Sequence, residues 1–308
     1  MKLFAIAALA VASLGSAALA ENTFGPLIAP DALNADLSAD APLVLDIRGD
    51  AYAEGHIPGA ISAPYGKFRG PADNPGQLVP EDELEAVLQS LGVTLDRPVA
   101  IVHEGDTDTD FGAAARVYWT LKSSGLTQLA ILNGGMTAWE AENLPLSDTA
   151  TEAEPSDIDI TFSDQWLADT DEVAAAVKGE RDAVLVDARP ASFFEGKEAH
   201  DAAARPGTLP GAQNVTHSVW FNDGTSIMDS AGASKLMKSL GLKQDTEIVS
   251  FCNTGHWAAT DWFAMSELAG IENVKLYPDS MVGYSKTDGE MQNVPGLFQN
   301  LMNKIKGD

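Results

Sequence analysis

The residue with the clearest chemical potential in this sequence is its single cysteine, Cys252. Residues 248–251 before it are mostly apolar and predict a buried strand, and the residues from position 258 onward have the spacing of an amphipathic helix. A thiol in the turn between a strand and a helix faces unpaired backbone N–H groups and the positive end of the helix dipole. These lower a thiol's pKa and stabilise an attached anionic sulfur. The sequence therefore predicts Cys252 as a sulfur nucleophile, and the turn after it comprises Asn253, Thr254, Gly255, His256 and Trp257.

Other uses of this cysteine are restricted by its surroundings. One cysteine cannot form an intramolecular disulfide or a cysteine-based zinc or iron–sulfur site. A buried, inert thiol is the plain alternative, and the turn position beside His256 argues against it. A phosphatase of the Cys-x5-Arg type is excluded because the sixth residue after Cys252 is Ala258. A cysteine hydrolase is weakly supported, because His256 lies on the same turn and has no evident orienting group.

The charge balance restricts the partners. The chain has 45 acidic and 19 basic residues, which give a formal charge of −26 at pH 7 and a pI near 4.3. Nucleic acids and anionic lipid surfaces bind basic patches, so neither is a predicted partner. No cofactor is predicted. The length of 308 residues and the hydrophobic content of 45% favour two globular domains.

The first twenty residues have the pattern of a secretory signal peptide. Lys2 is their only charge, an apolar run follows, and Ala18-Leu19-Ala20 closes the segment before Glu21. The run is too short for a membrane anchor, and the flanking residues match a cleavage site. Residues 1–20 are therefore predicted to be removed on export, and the mature protein is expected in the periplasm of a Gram-negative cell.

The remaining chain repeats itself. An apolar strand ending in Asp46-Ile-Arg48 reappears with Asp187-Ala-Arg189, and the turn at residues 55–60 reappears, with changes, at residues 207–212. Gly112 and Trp119 recur as Gly255 and Trp262 with the same separation. The offsets between the copies stay near 141 to 152 residues, which indicates tandem duplication. We predict a first domain over residues 21–146, an acidic linker over 147–159 and a second domain over 160–308.

Within each copy, short apolar strands alternate with helical patterns, which predicts an α/β fold with a mostly parallel sheet flanked by helices. Helices are predicted over residues 81–91, 113–123, 230–240 and 258–268. Each is followed by a glycine suited to a C-terminal cap, namely Gly92, Gly125, Gly241 and Gly270. Ligands of such sheets bind beyond the carboxyl ends of the strands, where the Cys252 turn is expected to lie.

These motifs, in order and twice over, resemble the rhodanese family of sulfurtransferases, specifically its tandem-domain members with a catalytic second domain. The resemblance implies that Cys252 takes a sulfane sulfur from an anionic donor, carries it as a persulfide and passes it to a thiol or cyanide-like acceptor, which could also be a partner protein. Residues 253–257 would then bind the persulfide and the leaving anion. The turn matches neither the thiosulfate nor the mercaptopyruvate subgroup of the family cleanly, so the donor stays open. The expected periplasmic location favours thiosulfate, and 3-mercaptopyruvate is the alternative donor. A non-enzymatic persulfide carrier is the alternative function.

The first copy is predicted to be non-catalytic. Its counterpart to Cys252 is predicted to be Glu104, which cannot accept sulfur. The following Asp106, Asp108 and Asp110 have the spacing of a calcium loop. The glycine and glutamate of that motif are missing, so a solvated acidic loop is the preferred interpretation.

Basic residues near the second site are candidates for binding the donor. The Asp-x-Arg pairs occur in both copies, so ion pairs at strand ends are the preferred interpretation, with a modest role for Arg189 in attracting anions. Arg205, with Lys197 and His200 in an insertion, forms the densest basic cluster of the second copy and is a second candidate.

Overall fold

The computed structural model describes residues 24–37, 42–222, 224–243 and 245–296. The segment assigned to the signal peptide lies outside these ranges. The first domain contains β1 (Leu27–Ile28), α1 (Pro30–Asp36), β2 (Leu43–Asp46), β3 (Ile61–Ser62), α2 (Glu81–Ser90), β4 (Val99–Val102), α3 (Asp108–Ser123), β5 (Leu129–Leu132) and α4 (Gly135–Ala141).

The first domain is built on a parallel sheet with strand order β1-β5-β4-β2-β3. All residues of the central strands β2, β4 and β5 are buried, because helices cover both faces of the sheet. This burial explains why these strands are continuous apolar runs in the sequence instead of alternating patterns. Two hydrophobic clusters result, one on each face.

The second domain repeats this plan. It contains α5 (Thr170–Val177), β6 (Ala183–Asp187), α6 (Ala191–Phe194), β7 (Gln213–Asn214), α7 (Ser230–Ser239), β8 (Glu247–Phe251), α8 (Trp257–Phe263), β9 (Val274–Leu276) and α9 (Ser280–Tyr284). Its sheet is parallel with order β7-β6-β8-β9. A bridge between Leu167 and Leu276 takes the place of the β1–β5 pair. The predicted fold class is confirmed.

The four predicted helices are present with altered ends. Helices α2 and α7 differ by one residue from the prediction, and the four predicted capping glycines have positive φ angles. Helix α3 begins five residues earlier than predicted, because Thr107 and Asp110 form a capping box. The helix predicted over residues 258–268 is divided into α8 and a π-helical turn, Ala264–Leu268.

The segment predicted as a linker packs along the first domain. Ser147 pairs with His56, Thr151 pairs with Ile61 at the edge strand β3, and Ile158 is 5% exposed. Residues 147–159 are therefore largely an extension of the first domain.

Helix α3 of the first domain packs against α8 of the second. Phe111 and Tyr118 place their rings 5.3 and 5.0 Å from that of Phe263, and Lys122 forms a 2.8 Å ion pair with Glu267. The N-terminal ends of both helices lie at the carboxyl ends of their sheets, so this packing brings the two candidate sites together. Within the described ranges, no helix has the length and apolar character needed to cross a membrane.

Both Asp-x-Arg motifs form buried ion pairs at strand ends, as predicted. Arg48 donates from Nη2 to Asp46 at 2.8 Å, and Arg189 donates from Nη2 to Asp187 at 2.6 Å. Each arginine also donates to the carbonyl of the glycine in the neighbouring turn, Gly55 or Gly207. The motif therefore fastens that turn to the end of the strand.

We expect Asp46→Ala to lower the free energy of unfolding by about 3 kcal/mol, because it removes the buried carboxylate from Arg48 and leaves only the partly exposed Glu104, 3.5 Å away. Urea unfolding of the purified protein measures this. Glu195→Gln, which removes the exposed Lys197–Glu195 pair, is the control and should cost less than about 1 kcal/mol. Equal losses in the two variants would contradict a structural role for the motif.

Candidate active site

The Cys252 turn is bound by Ser280, a residue that the sequence analysis did not single out. The N–H groups of Cys252 and Gly255 donate to Ser280 Oγ at 3.0 and 3.2 Å, and this hydroxyl donates to the Tyr277 carbonyl at 2.7 Å. Two of the N–H groups expected to face a ligand are thus already bonded. Those of residues 253, 254 and 256 have no acceptor within the described chain and remain available to an anion.

The predicted basic residues of the second domain do not contribute free charges. Arg189 is 2% exposed, and its Nη1 reaches Asn253 Oδ1 at 3.3 Å, so it acts on the turn through this amide. Arg205 donates to the carbonyls of Ser285, Thr287 and Gly289. The anion-binding role predicted for Arg205 is therefore replaced by a structural one, since three carbonyls already occupy its guanidinium.

A positive charge without a carboxylate partner among the described residues reaches the turn from the first domain. Arg116 on α3 lies so close to Gly255 that a Cβ there would stand 2.4 Å from its Nη1 atom. Gly255 also has a φ of +67°. Both conditions require glycine at this position. Arg116 Nη2 donates to the Gly76 carbonyl at 3.0 Å, and Nη1 lies 3.5 Å from the Gly255 carbonyl.

Arg116 carries an unpaired charge inside the interface. It is 1% exposed, forms no ion pair with any described residue, and its Nε has no hydrogen-bond partner. Burial, followed by the charge of Arg69, lowers its pKa to about 10, so it stays protonated at neutral pH. A buried cation without a counter-ion is unfavourable. Since the charge of Cys252 acts on Arg116, an anion on this sulfur would supply the missing partner.

A polar chain from the first domain reaches the turn as well. Arg69 Nη1 donates to the Tyr65 hydroxyl at 3.0 Å, and this hydroxyl lies 3.1 Å from His256 Nδ1. The other ring nitrogen of His256 lies 2.9 Å from the Thr109 carbonyl, which requires the Nε2–H tautomer and leaves Nδ1 as the acceptor.

The histidine of the turn is neutral. Burial, followed by the charge of Arg69, lowers the pKa of His256 to about 3. His256 is therefore uncharged at neutral pH. Trp257, the last residue of the turn, stacks on His217 with ring centroids 4.9 Å apart and donates to Thr109 Oγ1. Both side chains position the turn against the first domain.

The strand registers correct the predicted counterpart of Cys252. The last residues of β4 and β8 lie opposite the aspartates of the two Asp-x-Arg motifs. The residues that follow, His103 and Cys252, are therefore equivalent. The carbonyl of each accepts a hydrogen bond from the second residue of the next helix, α4 or α9. The prediction of Glu104 is thus wrong by one residue, and Glu104 instead lies 3.5 Å from Arg48.

The acidic loop of the first domain caps α3. Asp110 accepts from the N–H groups of residues 106 and 107, Asp106 accepts from Thr137, and Asp108 lies 3.7 Å from His217. The three carboxylates thus have separate partners. In the described part of the chain, no group of three or more His, Cys, Asp or Glu side chains is arranged to hold a metal ion.

Comparison with known proteins agrees with this fold. The family model of the rhodanese-like domain matches residues 29–142 and again 169–287. A thiosulfate sulfurtransferase of Azotobacter vinelandii is 31% identical over 271 residues, covering 87% of this chain and 94% of the relative. A sulfur carrier protein of Thermus thermophilus is 26% identical over 276 residues, covering 85% and 94%.

The 3-mercaptopyruvate sulfurtransferase of Escherichia coli is 28% identical over 228 residues, covering 73% of this chain and 79% of the relative. A crystal structure of such an enzyme from E. coli superposes with a TM-score of 0.73 at 24% identity, covering 83% of this chain and 98% of that one. The chain belongs to the rhodanese-like family, with two tandem domains. It is a sulfurtransferase, which acts on a sulfur donor and a thiol acceptor.

If the charge of Arg116 serves the reaction, Arg116→Met should slow sulfur loading by about 10²-fold, and Arg116→Lys should recover part of the rate. Loading is measured as single-turnover transfer from thiosulfate. Because the charge is buried and unpaired, the Met variant should unfold at an equal or higher urea concentration than wild type.

The matched control is Lys122→Met on the same helix, which removes the interface ion pair with Glu267. It should lower stability and leave loading within about 2-fold. A merely structural role for Arg116 would give the opposite result, with Arg116→Met losing stability and loading together.

Proposed function

We propose that the protein transfers the sulfane sulfur of thiosulfate to a thiol acceptor through a persulfide on Cys252. The observation that carries this proposal is the arrangement around the cysteine at the end of β8. Three N–H groups of its turn have no acceptor within the described chain, and the buried guanidinium of Arg116, which forms no ion pair with a described residue, lies against Gly255 of the same turn. Donors without acceptors in a buried site favour an anion. A thiolate, a persulfide and the sulfite leaving group all meet this requirement.

In the loading step, the Cys252 thiolate attacks the outer sulfur of thiosulfate. A bond forms between the two sulfurs, the S–S bond of thiosulfate breaks, and its electron pair leaves with sulfite. The negative charge that moves along this line is stabilised by the N–H groups of the turn and by Arg116. Since His256 is neutral and already bonded on both nitrogens, it serves to position the turn and does not donate a proton.

In the second step, the acceptor attacks the outer sulfur of the persulfide and Cys252 leaves as the thiolate. The chain has no second cysteine that could resolve the persulfide. The sulfur must therefore leave to an external acceptor. 3-Mercaptopyruvate fits the same anion site as an alternative donor.

A second candidate function is that of a persulfide carrier between proteins. It is favoured by the similarity to the sulfur carrier protein of Thermus thermophilus. A carrier and a catalyst share the same thiol and the same N–H groups, so turnover with small donors distinguishes them.

We expect incubation with thiosulfate to add one sulfur, about 32 Da, to the intact mass of the protein, consistent with thiolate chemistry. The addition should be absent in Cys252→Ser and should be removed by a small thiol. If thiosulfate, 3-mercaptopyruvate and polysulfide all fail to load the cysteine, catalysis on small donors is contradicted and the carrier function is favoured.

We further propose that the protein acts in the periplasm and neither spans nor binds a membrane. The support is the signal-peptide pattern of residues 1–20 and the strongly acidic composition. Expression of the full chain in a Gram-negative host should yield soluble periplasmic protein whose N-terminus is Glu21. Retention of Met1 on cytoplasmic protein would contradict export.

A further inference from the structure

Ser280, the first residue of α9, is completely buried against the Cys252 turn. A serine hydroxyl can donate one hydrogen bond and accept two. All three positions are occupied here, because the hydroxyl accepts from the N–H groups of Cys252 and Gly255 and donates to the Tyr277 carbonyl. No position is left for a substrate. Ser280 can therefore affect the reaction only through the turn.

The backbone of Ser280 has an unfavourable conformation. Its φ angle is +49°, in the left-handed region that side chains with a Cβ atom rarely adopt. Among the described residues, the other non-glycine residues with positive φ are Asn143 and Asn293, and asparagine tolerates this region. A buried serine in this conformation indicates that its side chain makes a compensating contribution.

The first domain provides an internal comparison. The second residues of α4 and α9 donate their N–H groups to the carbonyls of His103 and Cys252, so the first residues of these helices, Gly135 and Ser280, are counterparts. Gly135 has a φ of +62°. The domain without the cysteine thus has the residue that this backbone conformation favours. The domain with the cysteine has serine instead, and the hydroxyl is what the serine adds.

Helix α9 also fixes the direction of the peptide groups in the turn. The N–H groups of Met281 and Val282 donate to the carbonyls of Cys252 and Asn253, both at 3.0 Å. In a trans peptide group, the C=O and the N–H of the next residue point to opposite sides. The N–H groups of residues 253 and 254 therefore point away from α9. They are two of the three N–H groups of the turn that have no acceptor within the described chain.

The Ser280 hydroxyl completes this arrangement. It binds the N–H groups of Cys252 and Gly255, which lie on either side of residues 253 and 254. Without it, both N–H groups would be buried and would lack an acceptor, which is unfavourable. The turn could satisfy them only by rotating peptide groups, and this rotation would also redirect the N–H groups between them.

We propose that Ser280 is a positioning residue for sulfur transfer, whose hydroxyl holds the turn so that the N–H groups of residues 253, 254 and 256 stay directed at an anion on Cys252. The proposal rests on the function proposed above, since the anion is the thiolate or the persulfide of that reaction.

Ser280→Gly and Ser280→Ala separate the effect of the hydroxyl from that of the backbone. Both variants lack the hydroxyl, and only glycine suits the left-handed conformation. Single-turnover loading at saturating thiosulfate, followed by intact mass, should be about 10-fold slower in both, because two N–H groups lose their acceptor. All molecules should still load. In urea unfolding, Ser280→Gly should be the more stable of the two variants.

Two results of this comparison would overturn the proposal. If only the backbone conformation mattered, Ser280→Gly would load at the wild-type rate and Ser280→Ala alone would be slow. If the variants merely contained less folded protein, a smaller fraction of the molecules would load, and that fraction would load at the wild-type rate.

The matched control is Ser285→Ala, just after the other end of α9. Ser285 is 2% exposed, and its hydroxyl accepts from the Ala204 N–H at 2.9 Å, so this variant also removes a buried acceptor. It should unfold at a lower urea concentration than wild type and load within about 2-fold of the wild-type rate. An equal loss of loading rate in Ser285→Ala would show that the effect is not specific to Ser280 and would overturn its proposed role.

The hydrogen bonds can be tested without sulfur chemistry. By NMR, the N–H groups of Cys252 and Gly255 should exchange with deuterium about 10-fold faster in Ser280→Gly than in wild type. Unchanged exchange would overturn the proposal. Faster exchange in a protein that loads from no donor would support the hydrogen bonds and contradict the proposed function. Equal loading rates in wild type and Ser280→Gly would support the function and contradict the role of Ser280.

Discussion

The buried charge of Arg116 is the constraint on which the arrangement of the two domains depends. Its guanidinium sits against Gly255 in the interface, with carbonyl oxygens around it and no carboxylate paired to it. A charge in this situation destabilises the ligand-free protein unless an anion is near. The α3–α8 packing, with its aromatic contacts and the Lys122–Glu267 pair, provides the stability that tolerates it.

The consequence is that neither domain contains a complete site. The second domain supplies the thiol and the N–H groups, while Arg116, Arg69 and Tyr65 come from the first. The duplicated fold makes this division possible, because both sheets direct the carboxyl ends of their strands toward the same interface. A copy that has lost the cysteine still presents a helix N-terminus and polar turns there. The first domain therefore shapes the reaction from the opposite side.

The fold and the position of Cys252 could be predicted from the sequence, because both depend on local patterns. Buried parallel strands appear as continuous apolar runs, and capping glycines mark the helix ends, so the fold and the place of Cys252 followed directly. The one-residue error at Glu104 arose because the two copies were aligned on their helices across a loop of different length. Hydrogen-bonded strand registers cannot slide in this way, and they make His103 the counterpart.

The partners of the turn could not be predicted, because they are far away in sequence. Arg116 and Gly255 are separated by 139 positions, and Tyr65 and His256 by 191. One local signal was present in the sequence, because Arg116 lies between small and aromatic residues on α3. The residues on either side of it, Ala115 and Val117, are buried. A long cationic side chain on such a helix is ordinarily assumed to extend to solvent. Only the contact between the domains reveals that it ends in the interior.

The acidic composition of the protein affects how an anionic donor can be attracted to the site. With a formal charge of −26, the protein repels anionic donors at long range, so their attraction must come from groups within the site. Arg116 and Arg69 provide positive charge beside the cysteine turn, where little solvent screens it.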